Sequence, residues 1–166
     1  LEDALIVRLA LYQPDIPQNL GAAMRLAACL GTPLDIIDPC GFPLNDKALK
    51  RSAMDYGAHA RITRHSTFSA FLAMLQQQES RLILLETDGK STIYDFAFHP
   101  TDTLSLGRES AGSPTELRTA AATILRIPMA PGMRSMNVVM AGAIALSEAL
   151  RQTGGMAKEG PTDATV

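Results

Sequence analysis

Apolar residues in this chain fall into short continuous runs, separated by stretches with helical periodicity. Residues 5–11 (LIVRLAL), 34–37 (LDII), 81–86 (RLILLE), 103–106 (TLSL) and 124–127 (ILRI) read as buried strands, with 60–63 (ARIT) as a further short one. A Pro-rich turn at 14–17 leads into 19–31 (NLGAAMRLAACLG), whose Ala and Leu content predicts a helix stopped at Gly31. Residues 46–56 predict a helix with Leu49, Ser52, Ala53 and Tyr56 on one face and Lys47, Lys50 and Arg51 on another. Phe68, Phe71, Leu72 and Leu75 follow i, i+3, i+4, i+7 spacing, the mark of a core-packed helix. Ser113-Pro114-Thr115-Glu116 reads as a capping box with proline at the first helical position, and 137–152 as the last helix. Strands that are apolar throughout and alternate with helices imply an α/β fold with a parallel sheet covered on both faces. With no internal repeat or interior linker, residues 1–153 read as one domain and 154–166 as a disordered tail.

Composition narrows the class. The length of 166 residues suits one domain, and a 46% hydrophobic content supports a sizeable core. No apolar run approaches the ~20 residues of a membrane span. Residues 1–11 lack a signal-peptide pattern, so a soluble cytoplasmic protein is expected. Cys29 and Cys40 form neither a CxxC pair nor a disulfide framework, and Cys29, in an apolar helical stretch, is expected to be buried. His59, His65 and His99 are scattered, so no metal site is expected. A net charge of −2 speaks against a nonspecific nucleic-acid binder. Basic residues nevertheless concentrate locally, with Lys47, Lys50, Arg51, Arg61 and Arg64 set against Asp55 alone. Such a patch is able to bind phosphate.

Three segments stand where an open α/β sheet places ligands, beyond the carboxyl ends of strands. None is a dinucleotide fingerprint, a P-loop or a GxSxG elbow. The first, 14–21 (PDIPQNLG), is followed by Arg25, the only charge between Asp15 and Asp35. That arginine either serves a ligand or snorkels to the surface and ties down a loop carboxylate. The second, 104–114 (LSLGRESAGSP), runs from strand to helix through Gly107 and Gly112, which permit close approach or positive φ; it is also a well-made turn. The third, 126–137 (RIPMAPGMRSMN), is stiffened by two prolines and a glycine before Asn137 opens a helix, as an N-cap or as a ligand group. The helix after it is apolar nearly all round, which suits either a dimer interface or the core of a monomer.

Together these segments resemble the three motifs of the SPOUT superfamily of methyltransferases. Asn19, Gly21 and Arg25 match the first; Gly107, Glu109, Gly112 and Pro114 the second; 127–131 (IPMAP) with Arg134, Ser135 and Asn137 the third. Within the superfamily the short chain, 46–56 (DKALKRSAMDY) and Thr63-Arg64-His65 resemble the tRNA wobble-position cytidine/uridine 2′-O-methyltransferase branch. Two positions depart from that branch: Ser147 stands where it carries tyrosine, and Val139 where it carries a small or polar residue.

The resemblance implies a Rossmann-like parallel sheet with a C-terminal trefoil knot, a homodimer, and S-adenosylmethionine as methyl donor to a ribose 2′-OH of tRNA. It implies cofactor contacts at Leu85, Gly107, Ile127 and Ser135, and a catalytic set of Asn19, Arg25, Glu109, Ser135 and Asn137. A guanidinium stays protonated, so Arg25 is not a simple base, and the resemblance implies that it grips the phosphate beside the ribose, a role that suits a planar fork of donors. The Lys47, Lys50 and Arg51 face is the candidate tRNA contact, or simply a solvated helix face. Action on another tRNA position or on rRNA, a noncatalytic adenosine-ligand binding dimer and a purely structural dimerisation domain are the alternatives.

Overall fold

The computed structural model describes residues 6–45, 47, 51, 56 and 59–159. Along them run β1 (Arg8–Tyr12), α1 (Pro17–Leu30), β2 (Leu34–Ile37), β3 (Ile62–His65), α2 (Phe68–Gln77), β4 (Leu82–Leu85), β5 (Ser91–Thr92), β6 (Thr103–Leu106), α3 (Thr115–Ala120), β7 (Thr123–Arg126) and α4 (Val138–Thr153). The strands form one sheet in the order β3-β2-β1-β6-β4-β7-β5, each neighbouring pair parallel. The expected α/β architecture is therefore present. The helix expected over 46–56, Lys50 included, lies largely outside the described residues; Lys47 and Arg51 are exposed.

Side chains alternate across the pleat, so each strand feeds two cores. Leu9, Leu11, Leu104 and Leu106 pack with Leu20, Met24 and Ala27 of α1 and with Ala145, Leu146 and Ala149 of α4. Ala10, Tyr12, Leu82 and Leu84 pack on the other face with Phe71 and Leu75 of α2 and Leu117 of α3. The Tyr12 hydroxyl donates to the Glu116 carboxylate and anchors α3. Burial, helped by that carboxylate, pushes the phenol up to about 12.

Sheet register explains where strand limits differ from expectation. Leu9 pairs with Leu34 and Tyr12 with Ile37, which carries β1 to Tyr12 rather than ending it at Leu11. Leu34 pairs with Ile62 and Ile37 with His65, which shifts β3 two residues along from 60–63. Asp35, wholly buried in β2, accepts from both Arg8 (2.8 and 2.9 Å) and His65 (2.8 Å). A buried carboxylate requires such partners, and these two tie β1, β2 and β3 together.

Two local expectations are corrected. Cys29 is exposed, because the buried stripe of α1 is Leu20, Ala23, Met24 and Ala27; Cys29 falls with Arg25, four residues earlier, on the solvent side. The capping box at 113–116 does not form, since Pro114 itself takes the N-cap, which has no side-chain hydrogen bond. The stop at Gly31 holds, with φ +65° and its N–H returned to the carbonyls of Ala27 and Ala28.

Candidate active site

The strand order reverses around β1, β6, β4 and β7, and the segments leaving their carboxyl ends close round a cavity of about 570 Å³. That volume suits a nucleoside-sized ligand. Leu85, Leu106, Leu125 and Ile127 give it apolar walls, while Asn19, Glu109, Ser135 and Asn137 give it a polar end. Leu85, Gly107, Ile127 and Ser135, expected at a cofactor, all line this one space.

At the polar end the three motifs join in one directional chain of hydrogen bonds. Asn137 is the N-cap of α4, and its Oδ1 accepts from the N–H groups of Val139 (2.9 Å) and Met140 (3.2 Å). That use of the oxygen leaves only the amide nitrogen facing away, and it donates to Asn19 Oδ1 at 3.0 Å. Asn19 must then present its own nitrogen, which donates to Glu109 Oε1 at 3.2 Å. The first-turn N–H groups of α4 thus orient three side chains from segments more than 80 residues apart in places. Capping and site-building are the same act here. Those two N–H groups are consumed by the cap and are not open to a ligand.

Glu109 also accepts from the Asp15 N–H (3.2 Å), and Asp15 accepts in return from the Glu109 N–H (3.2 Å) and from the Ser110 hydroxyl. Burial, with the Asp15 carboxylate beside it, pushes the Glu109 carboxyl above its ordinary range. Hydrogen bonding to Glu109, with the Ser110 hydroxyl assisting against burial, holds Asp15 down at about 2. The lower acid keeps the charge and the upper one holds a proton more readily. Gly41 makes this approach possible. A Cβ there would lie 2.6 Å from Asp15 Cβ and 2.9 Å from its Cα.

Beside the apolar walls is a second polar feature that the sequence did not single out. A Cβ on Gly107 would lie 2.3 Å from Ser113 Oγ and 3.2 Å from Glu86 Oε1, so only a bare Cα fits. Ser113 Oγ is buried with no partner among the described residues. Glu86, directly after β4, lines the cavity with Thr87 and Arg108. Its place beyond the carboxyl end of a parallel strand was the available signal.

Arg25 is not among the residues lining the cavity of its own chain. Six residues on from Asn19, it sits about 9 Å along the helix axis and on a different face. Its guanidinium stacks over the Tyr56 ring (4.7 Å to the centroid) and donates to the Tyr56 hydroxyl at 3.2 Å, exposed to solvent. Of the local basic cluster, Arg61 donates to the Gly31 carbonyl, and Arg64 grips Asp38 and the Leu44 carbonyl. These two serve the fold around β2 and β3. No group of three or more His, Cys, Asp and Glu able to hold a metal occurs among the described residues.

Comparison with known proteins gives concordant matches. The model of the SpoU rRNA methylase family matches residues 6–147. A tRNA (cytidine(34)-2′-O)-methyltransferase of Beijerinckia indica subsp. indica is 49% identical over 150 residues, spanning 90% of this chain and 94% of that one. A solved structure described as "Structural insights into the 2-OH methylation of C/U34 on tRNA" superposes with a TM-score of 0.81 at 40% identity, covering 90% of this chain and 97% of the other. An AdoMet-bound rRNA methyltransferase from Sinorhizobium meliloti superposes with a TM-score of 0.78 at 25% identity, covering 88% and 56%.

Proposed function

Because the chain belongs to the SpoU rRNA methylase family, we propose that it methylates the ribose 2′-OH of the wobble cytidine or uridine of tRNA, with S-adenosylmethionine as donor. The observation that carries this reading is the Glu109–Asn19–Asn137 chain of hydrogen bonds at the mouth of a nucleoside-sized cavity. Relatives bearing the tRNA position-34 name over nearly their full length support the substrate.

The residues present fit the donor. Apolar walls accept a flat base, Gly107 presents bare backbone to the cavity, and the Glu86 carboxylate lines it without a partner among the described residues. When bound, the donor supplies a sulfonium methyl already activated for transfer. What remains for the protein is to align the 2′-oxygen and ease removal of its proton. Leu85, Gly107, Ile127 and Ser135 would hold the donor. Asn19 and Asn137, fixed in orientation by the α4 N-terminus, position the ribose. Glu109 is the carboxyl nearest that end, and Arg25 grips the adjoining phosphate with its planar fork.

Arg25 points away from its own cavity, so this reading brings it from a second copy in a homodimer. Supporting this, α4 shows solvent a stripe of Met140 (63% exposed) and Ile144 (37%), with Ser147 next along it. The reading further threads the C-terminal segment into a trefoil knot. The contacts of α4 hold it on the sheet, with the Phe98 N–H donating to Gln152 Oε1 at 3.0 Å and Gly142 packed against Leu106 of β6; the knot itself rests on the family resemblance. Lys47, Lys50 and Arg51 are its tRNA contact, and the cytoplasm is its setting. No described helix is long and apolar enough to cross a membrane.

The test is incubation with labelled S-adenosylmethionine and unmodified total tRNA, followed by nucleoside mapping. The expected product is 2′-O-methylcytidine or 2′-O-methyluridine at position 34. Label at another tRNA position, or only in rRNA, would overturn the substrate assignment, and no label at all would overturn the activity.

A further inference from the structure

Glu86 stands out for what it lacks. It is half-buried at the carboxyl end of β4 and lines the cavity, yet its carboxylate makes no hydrogen bond or ion pair among the described residues. Leaving a charged group partly desolvated without a partner is costly, and the cost is relieved when donors arrive with a ligand. Its Oε1 lies 3.2 Å from the point a Gly107 Cβ would occupy and 3.9 Å from the corresponding point of Gly112. The unpartnered Ser113 hydroxyl flanks the same Gly107 point at 2.3 Å. Ser113 thus fills the side of Gly107 away from the cavity lining, and the unsatisfied acceptor that faces the cavity is Glu86.

The position of that acceptor selects the ligand group. Glu86 directly follows Leu85, and Gly107 directly follows Leu106, two of the apolar walls suited to a base. Two residues beyond Gly107 lies Glu109, in the hydrogen-bonded chain where transfer takes place. In an adenosine-type ligand the sugar joins base to reacting end. Its vicinal hydroxyls are paired donors, which a carboxylate beyond a parallel strand is well placed to accept. A cationic amino-acid group would instead sit past the reacting sulfur.

Resting on the methyltransferase reading above, we propose that Glu86 recognises the ribose of the methyl donor by accepting its 2′ and 3′ hydroxyls. This makes Glu86 a specificity-determining residue of the donor pocket, in addition to the contacts expected at Leu85, Gly107, Ile127 and Ser135.

The test is calorimetric titration of the whole chain and of Glu86→Ala and Glu86→Gln, each checked for an unchanged melting transition. Three probes are used: S-adenosylhomocysteine, its 2′,3′-dideoxyribose analogue, and 5′-methylthioadenosine, which keeps the diol and lacks the amino-acid group. Glu86→Ala should weaken S-adenosylhomocysteine and 5′-methylthioadenosine alike, by roughly 10- to 100-fold. Glu86→Gln, still an acceptor but uncharged, should fall between. The dideoxy analogue should bind the native chain and Glu86→Ala within about twofold of each other, a margin small against one hydrogen bond. Equal losses for the dideoxy analogue, or unchanged affinity for S-adenosylhomocysteine, would overturn the assignment. A loss confined to S-adenosylhomocysteine would overturn it too, by moving the carboxylate to the amino group. If the native chain bound none of the probes, the methyltransferase reading itself would fall, and this inference with it.

Discussion

The two polar borders of the cavity are built on opposite principles. At the Asn19–Asn137 border three side chains are committed to one another: helix N–H groups orient Asn137, Asn137 orients Asn19, and Asn19 orients Glu109. At the Glu86 border the carboxylate is uncommitted: it lines the cavity beside Gly107 with no partner among the described residues. The first border is preorganised and keeps its geometry without ligand, as alignment of a reacting oxygen requires. The second is incomplete until something binds, as recognition requires. The contrast separates residues that set rate from residues that set affinity.

The contrast breaks most severely at Gly107. A branched side chain there meets Ser113 Oγ, Ser113 N at 3.1 Å and Glu86 together, so Gly107→Val should cost S-adenosylhomocysteine at least about 100-fold in affinity, equivalent to about 2.7 kcal/mol. Calorimetry measures this, and circular dichroism should show the fold retained. Asn137→Asp sharpens the other border. A carboxylate still accepts from Val139 and Met140 and still caps the helix, but it has no proton to give Asn19. Methyl transfer should fall by about tenfold or more, the loss of one oriented hydrogen bond in the transition state, at an almost unchanged melting temperature. Asn137→Ala, by contrast, should also lose about 1 kcal/mol of capping and roughly 2–4 °C in Tm.

Smaller effects follow from the support of Glu109. Gly41→Ala places a methyl group against the Asp15 backbone and should destabilise the chain by about 1–3 kcal/mol, read from urea unfolding. Glu109 is raised, first by burial and then by Asp15, so its ionised, purely accepting form is lost on the acid side before that of an ordinary glutamate. The acid limb of the methyl-transfer pH profile should therefore lie above the usual carboxylate range. Asp15→Asn should move that limb to lower pH, though not the whole way, because burial remains. An unmoved limb would remove Asp15 from the account.

Much of this was readable in the sequence, for physical reasons. Strands buried on both faces are apolar throughout, so 34–37 and 103–106 were legible residue for residue. The two-residue β5 was not, because Ser91 and Thr92 pair with Leu125 and Arg126 through backbone alone. Ala and Leu content placed α1, but the same uniformity hid which stripe faces solvent, and so Cys29 was misassigned. Asn19, Glu109 and Asn137 were legible as motif residues. Their directional bonding was not, since it depends on the helix cap. Asp15 and Glu86 escaped because what marks them, a paired acid and an unpaired one, exists only once distant segments meet. Arg25 was legible as a residue out of keeping with its helix, yet its single-chain position over Tyr56 gives it no part in its own cavity.

A crystal structure of the chain with S-adenosylhomocysteine would test the convergence of the three motif segments most directly. The account predicts the adenosine between Leu85, Gly107 and Ile127, its sulfur turned toward an unbroken Glu109–Asn19–Asn137 chain, and Arg25 of a second copy facing that end. An adenosine bound elsewhere, or a ligand that pulls Asn19 away from Asn137, would contradict it.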